Sequence, residues 1–238
     1  MTPKNIFLLI ISFVFFLVLF NWYINQSNQK SIMVLDKNSQ GVINYVAVGD
    51  SYTIGLGVSE GSRWPNIMTD HLKQQGININ LTANPAVSGY TVRDAILELP
   101  VVKKIRPDFV TVLIGANDNF SQKEVKEFQQ EYKELLDKLH PTLENPKNIV
   151  LITIPDYSKS PGSRGLQTQN ISKLIEEYNQ VIKDEAIKRG LKVADIYPVS
   201  QSMIDNDDYI SDGLHPSAKG YEKWERVIFP VVFELLKK

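Results

Sequence analysis

Residues 42–52 read Val-Ile-Asn-Tyr-Val-Ala-Val-Gly-Asp-Ser-Tyr. Val42 to Val48 is apolar and rich in β-branched residues, the composition of a strand, and Gly49 stops it. Outward from this run the pattern alternates between short apolar runs and longer helical ones. Arg63 to Gln75 places Trp64, Ile67, Met68 and Leu72 at helical spacing, with Pro65 suited to a first turn. Ile77 to Leu81 reads as a second, weaker strand. Thr91 to Lys104 is helical, with Val92, Ala95, Ile96 and Leu99 facing inward, and Pro100 should end or kink it. Phe109 to Ile114 is almost wholly apolar, as a strand covered on both faces must be.

The second half repeats the theme. Ser121 and Glu124 have the spacing of a capping box, which predicts a helix carrying the stripe Val125, Phe128, Leu135, Leu136 and Leu139. Ile149 to Ile154 is another buried strand, stopped by Pro155. Ile171 to Arg189 is amphipathic and is followed by Gly190 at a C-terminal cap position. Leu191 to Ile196 makes a fifth strand. A last helix starts near Ser217 and turns Tyr221, Trp224, Ile228, Val231 and Leu235 inward, with a kink expected at Pro230. Strands alternating with helices imply parallel βαβ units with right-handed crossovers. The expected fold is α/β: a three-layer, doubly wound, parallel five-stranded sheet in the flavodoxin-like order 2-1-3-4-5, preceded by an N-terminal hydrophobic helix.

Composition narrows the function. The net charge of −1 provides no basic stripe, so no nucleic-acid partner is expected. The absence of cysteine removes disulfides, thiolate metal sites and thiol catalysis. Ile6 to Phe20 is apolar apart from Ser12, and continuing through Trp22, Tyr23 and Ile24 it approaches the ~17 to 20 residues that a bilayer helix needs. Lys4 and the amino terminus precede the run, and no charge follows it until Lys30, so the rest of the chain is expected to face outward. Asn21 to Ser31 offers no small-x-small cleavage site, which favours an uncleaved anchor over a signal peptide. Residues 1–24 therefore read as a signal anchor, 25–40 as a polar tether and 41–238 as one globular domain.

The chemistry gathers where strands end. Ser51 lies just after the first strand, and its hydroxyl needs a base to become a nucleophile. Of three histidines, His71 falls inside a helix and His140 sits before Pro141 at a helix end. His215 lies in Ser211-Asp212-Gly213-Leu214-His215-Pro216, a loop after the fifth strand. Asp212 precedes it by three residues, so one tight turn lets the carboxylate accept the Nδ1–H hydrogen bond and leaves Nε2 for Ser51. The Ser51 and Gly89 backbone N–H groups and the Asn117 amide are the candidate donors for a developing oxyanion. Taken alone, Gly49-Asp50-Ser51 is a capped turn and Gly115-Ala116-Asn117-Asp118 another; four such blocks, each beyond a strand, favour the catalytic reading.

In these blocks the chain resembles the GDSL, or SGNH, hydrolase family. Its motifs match Gly49-Asp50-Ser51, Gly89, Gly115-x-Asn117-Asp118 and Asp212-x-x-His215-Pro216, with Tyr52 where the family name has leucine. Gly55, Arg63-Trp64-Pro65, Ile154-Pro155-Asp156-Tyr157 and the run from His215 to Tyr221 resemble its lysophospholipase-L1-like esterase branch. The resemblance implies ester or thioester hydrolysis with no metal and no cofactor. Ser51, Asp212 and His215 would be the catalytic residues, and Ser51, Gly89 and Asn117 the oxyanion hole. The expected substrate is an acyl ester of a lipid, a lysophospholipid or an acetylated glycan. Carbohydrate or peptidoglycan O-acetylester hydrolysis is the second enzymatic reading, and a non-catalytic surface binding module the third. Tyr52, Asp156 and Tyr157 are candidate substrate contacts, and the loop from Pro155 to Thr168 a candidate pocket wall or lid.

Overall fold

Five apolar runs become five parallel strands, β1 (Ile43–Gly49), β2 (Ile79–Ala83), β3 (Phe109–Leu113), β4 (Ile149–Ile152) and β5 (Lys192–Ala194), in the order β2-β1-β3-β4-β5. This computed structural model describes residues 41–163 and 168–237. The expected anchor (1–24) and tether (25–40) therefore lie outside the described residues, as do residues 164–167 of the long loop. No described helix is long and apolar enough to cross a membrane. The helices are α1 (Ser51–Ile54), α2 (Trp64–Gln74), α3 (Val92–Ile105), α4 (Ala116–Phe120), α5 (Val125–Leu139), α6 (Thr168–Arg189), α7 (Tyr197–Gln201) and α8 (Ala218–Leu236).

The middle strands explain the architecture. Every residue of β3 and β4 is buried, so each strand must be covered on both faces. α2 packs with α8, while α3, α5 and α6 pack together, and these groups form the outer layers. Tyr45 and Phe109, paired in register across β1 and β3, hold their rings 5.0 Å apart. The buried Tyr45 hydroxyl meets Thr111 Oγ1 at 2.7 Å, so this polar group costs little inside the core.

Several local expectations shift, each for a tertiary reason. β2 begins two residues late because Ile77 N–H closes the end of α2 on the Leu72 carbonyl. Leu191 is likewise spent on α6, its N–H reaching the Ala186 carbonyl, and Ile196 caps α7 at the other end, so β5 is three residues long. Ser121 does not open a helix: it ends α4 and donates Oγ–H to the Asp118 carbonyl at 3.0 Å. Gln122 then takes a left-handed φ of 54°, and α5 starts after Glu124 without a side-chain cap. α3 and α8 run on through Pro100 and Pro230. Both prolines face solvent, while Leu99, Val102, Ile228 and Val232 keep the inner faces buried.

Candidate active site

β1 ends at Gly49 and the chain turns through Asp50 into α1, so Ser51 opens a helix just beyond the carboxyl edge of the sheet. Gly49 has to be glycine: a Cβ there would meet Thr53 Oγ1 at 2.1 Å and the Leu113 carbonyl at 2.5 Å. Asp50 caps the turn, its Oδ1 accepting the Tyr52 N–H at 3.0 Å. The Ser51 N–H begins the helix and has no intrahelical acceptor.

Ser51 Oγ lies 2.9 Å from His215 Nε2, and His215 Nδ1 lies 2.7 Å from Asp212 Oδ2. A carboxylate only accepts, so Nδ1 carries the hydrogen and the Nε2 lone pair faces the serine hydroxyl. Asp212 Oδ1 also accepts the N–H groups of Leu214 (2.8 Å) and His215 (2.9 Å), which folds the D-x-x-H stretch into the turn its spacing predicts. Partial burial pushes the Asp212 carboxyl up, but the His215 and Leu214 N–H groups and the His215 ring outweigh it and hold the carboxyl below its ordinary value.

Neighbouring elements clamp this loop. Ile210 N–H donates to the His215 carbonyl at 2.9 Å, and Gly162 N–H donates to the Gly213 carbonyl at 2.8 Å. The Tyr52 ring stands 5.5 Å from the imidazole and edge-on to Trp224, while Trp64 Nε1–H donates to the Tyr52 carbonyl at 3.1 Å. Both tryptophans are buried supports of the site, as the helical spacing implied.

Gly89 has a φ of 88°, and a Cβ there would meet open space, so its conformation rather than packing calls for glycine. Asn117, on α4, donates from Nδ2 to the Tyr90 carbonyl at 2.8 Å and makes a longer contact of 3.4 Å with Asp50 Oδ2. Ser51, Gly89 and Asn117 line one cleft of about 220 Å³ together with His215, Tyr52 and Tyr157. His71 and His140 take no part. His71 Nδ1 pairs with Glu225 at 3.0 Å and its ring stacks on Phe229, while His140 begins a separate turn, His140–Thr142, after α5.

The family's sequence profile matches residues 47–223, three quarters of the chain and the whole of this constellation. The chain belongs to the GDSL-like lipase/acylhydrolase family. Among curated relatives of this GDSL-like chain, a multidomain esterase of Ruminococcus flavefaciens is 29% identical over 222 residues, covering 78% of the chain and 28% of the relative. An acetylxylan esterase of Xylanibacter ruminicola is 23% identical, covering 79% of the chain and 43% of the relative. The GDSL-like chain thus spans less than half the length of either. The solved structure of TesA superposes with a TM-score of 0.66 at 19% identity, over 81% of this chain and 99% of that one, a likeness of fold.

One expected contact of the GDSL-like site is corrected. Asp156 is wholly buried and lines no part of the cleft. Its Oδ1 accepts Ser158 Oγ–H at 2.5 Å, and its Oδ2 accepts from Ser172 (2.6 Å), Tyr197 (3.4 Å) and Gln201 (3.3 Å), pinning the end of β4 to α6 and α7. That anchorage sets Tyr157 in the cleft wall, with its hydroxyl donating to Asn119 Oδ1 at 2.5 Å. The described part of the loop from Pro155 supplies this wall and rests Gly162 on the Asp212–Gly213 turn. Sequence reasoning missed Phe120, which is two-thirds exposed at the cleft. Phe120 hid because it interrupts no apolar stripe. Among described residues, no group of three or more His, Asp or Glu side chains is placed to hold a metal ion.

Asp50 makes the GDSL-like fold sensitive to pH. Burial pushes its carboxyl up to about 7, against the Tyr52 N–H and with help from Asp118. The folded-state value is raised, so this group's contribution is fully present below the unfolded carboxyl value of about 4 and is lost as pH rises through about 7. Between pH 5 and 8 the loss is on the order of 2 kcal/mol. Asp50→Asn cannot ionise, so its melting temperature relative to wild type should be higher at pH 8 than at pH 5. A difference that does not change with pH would refute the assignment.

Proposed function

We propose that this chain is a serine acyl-ester hydrolase. One observation carries the reading: Ser51 Oγ, His215 Nε2 and Nδ1, and Asp212 Oδ2 run in line at 2.9 and 2.7 Å, in a cleft shared with Gly89 and Asn117. Ser51 Oγ attacks the ester carbonyl as its proton passes to His215 Nε2. The tetrahedral oxyanion is met by the Ser51 and Gly89 N–H groups and by the Asn117 amide N–H that Asp50 holds only at 3.4 Å. His215 returns the proton to the leaving alcohol. Water then enters by the same route, and the acyl group leaves as a carboxylic acid.

No described residue lining the cleft is Asp, Glu, Lys or Arg, which suits an uncharged acyl group. Esterase relatives that include an acetylxylan esterase support a second substrate reading, an acetyl group carried on a glycan. The sequence of residues 1–40 supports a domain tethered outside a membrane. One experiment addresses all of this: the full chain is expressed, fractionated and assayed with p-nitrophenyl esters from acetate to palmitate, lysophospholipid and acetylated xylan. Short acyl esters are expected to turn over in the membrane fraction, with a fluorophosphonate probe labelling the protein. Acetate release from xylan selects the glycan reading. Activity confined to the soluble fraction overturns the tether. Failure of both turnover and labelling overturns the enzyme and leaves a binding module.

A further inference from the structure

Gly89 and Asn117 stand on different segments, and two hydrogen bonds to consecutive residues of α4 join those segments. Asn117 Nδ2 donates to the Tyr90 carbonyl at 2.8 Å, and the Val92 N–H donates to Asp118 Oδ2 at 2.9 Å. Asp118 is 0% exposed. Its Oδ1 pairs with Lys123 Nζ at 2.7 Å, Lys123 also pairs with Glu131, and Glu131 pairs with Arg93 at 3.0 Å. Arg93 adjoins Val92, so the chain of charges returns to its starting point. It closes a ring from α3 through α4 and α5 and back.

A buried carboxylate needs such balance, because an unpaired one would be strongly disfavoured. With its charge met on one oxygen, Asp118 is free to hold a backbone N–H firmly with the other. Val92 opens α3, three residues after Gly89, and Asp118 follows Asn117 directly. The Asp118–Val92 bond therefore sets the separation of the two segments that carry the Gly89 and Asn117 donors.

We propose that Asp118 is a positioning residue for ester hydrolysis, clamping the start of α3 to α4 so that the Gly89 and Asn117 donors converge on one oxygen. The proposal rests on the esterase reading above. Asp118 does not touch substrate. It acts through two residues whose N–H groups serve chiefly the transition state, so its removal belongs in kcat rather than KM.

Three variants of the full chain test this with p-nitrophenyl acetate from pH 5 to 9, with folding checked by circular dichroism. Asp118→Ala removes the clamp and Asp118→Asn keeps an oxygen acceptor for Val92. Val92→Pro removes the N–H from the other side. It suits the first position of a helix, and Thr91 is already extended at φ −91° and ψ 175°, as a residue before proline prefers. Asp118→Ala and Val92→Pro should each lower kcat about 10- to 100-fold with KM within about threefold, and Asp118→Asn should recover most of that loss. The shape of the pH–rate profile should not change, because the Ser51–His215–Asp212 line is intact. If Asp118→Ala does not fold, Val92→Pro decides. A folded Asp118→Ala or Val92→Pro with wild-type kcat, a loss confined to KM, or an Asp118→Asn no better than Asp118→Ala overturns the proposal. If wild type itself fails to turn over the ester, the esterase reading falls and takes this inference with it. If wild type is active and the folded variants match it, only the positioning role falls.

Discussion

Ser51→Ala is expected to remove ester turnover, by about 10⁴-fold or more, while the protein keeps its native circular dichroism spectrum. The physical reason is that, among the described residues, the hydroxyl pairs only with His215 Nε2, at 2.9 Å. Removing it costs one partly exposed hydrogen bond, about 1 kcal/mol, and leaves the Asp50 cap and the Tyr52 packing in place. Stability and activity should therefore separate cleanly. Fluorophosphonate labelling should vanish together with turnover, because both need the same activated oxygen. Retained activity in the folded variant would mean that a different group performs the chemistry.

Asp212→Asn is expected to lower kcat by about 10² to 10⁴-fold. The wild-type carboxylate accepts from three N–H groups, two of the backbone and one of the imidazole. In the variant the amide oxygen goes to the two backbone donors, which are fixed by the turn. The amide nitrogen is then left opposite Nδ1, and two donors cannot face each other. The imidazole responds by placing its hydrogen on Nε2, where it points at Ser51 and cannot take a proton. The Asp212 side chain is 40% exposed, so water competes for these contacts and the loss falls short of that in Ser51→Ala. A variant with wild-type kcat would show that the imidazole needs no orienting carboxylate.

How much was legible without coordinates follows from the range of each interaction. Ser51, Asp212 and His215 were legible because each lies in a turn whose residue types are set largely by the chain around it: Gly49 by its close approach to Thr53, Asp212 by the D-x-x-H turn, and Gly213 by a φ of 68°. The strand order was legible because short crossovers and uniform handedness leave few topologies. Asp156 was misread because an aspartate after a strand and a proline looks alike from sequence whether it faces solvent or a buried nest of hydroxyls. Its partners Ser172, Tyr197 and Gln201 come from two later helices. Ser121 was misread because the spacing of a capping box is also met by a residue that ends one helix just before the next begins.

The amino-acid sequence by itself determined the alternation of strands and helices, the family, and which turns hold Ser51, Asp212 and His215, since periodicity and turn chemistry act over a few residues. The meeting of Ser51 with His215 across 164 positions was expected from their places at strand ends, whereas tertiary structure alone decided that Asp118 reaches back 26 positions to Val92 and that Asp156 turns inward. Those outcomes depend on which strand ends become neighbours and which polar groups burial then forces to pair. Such pairings are set by packing between distant segments, and no local pattern encodes them.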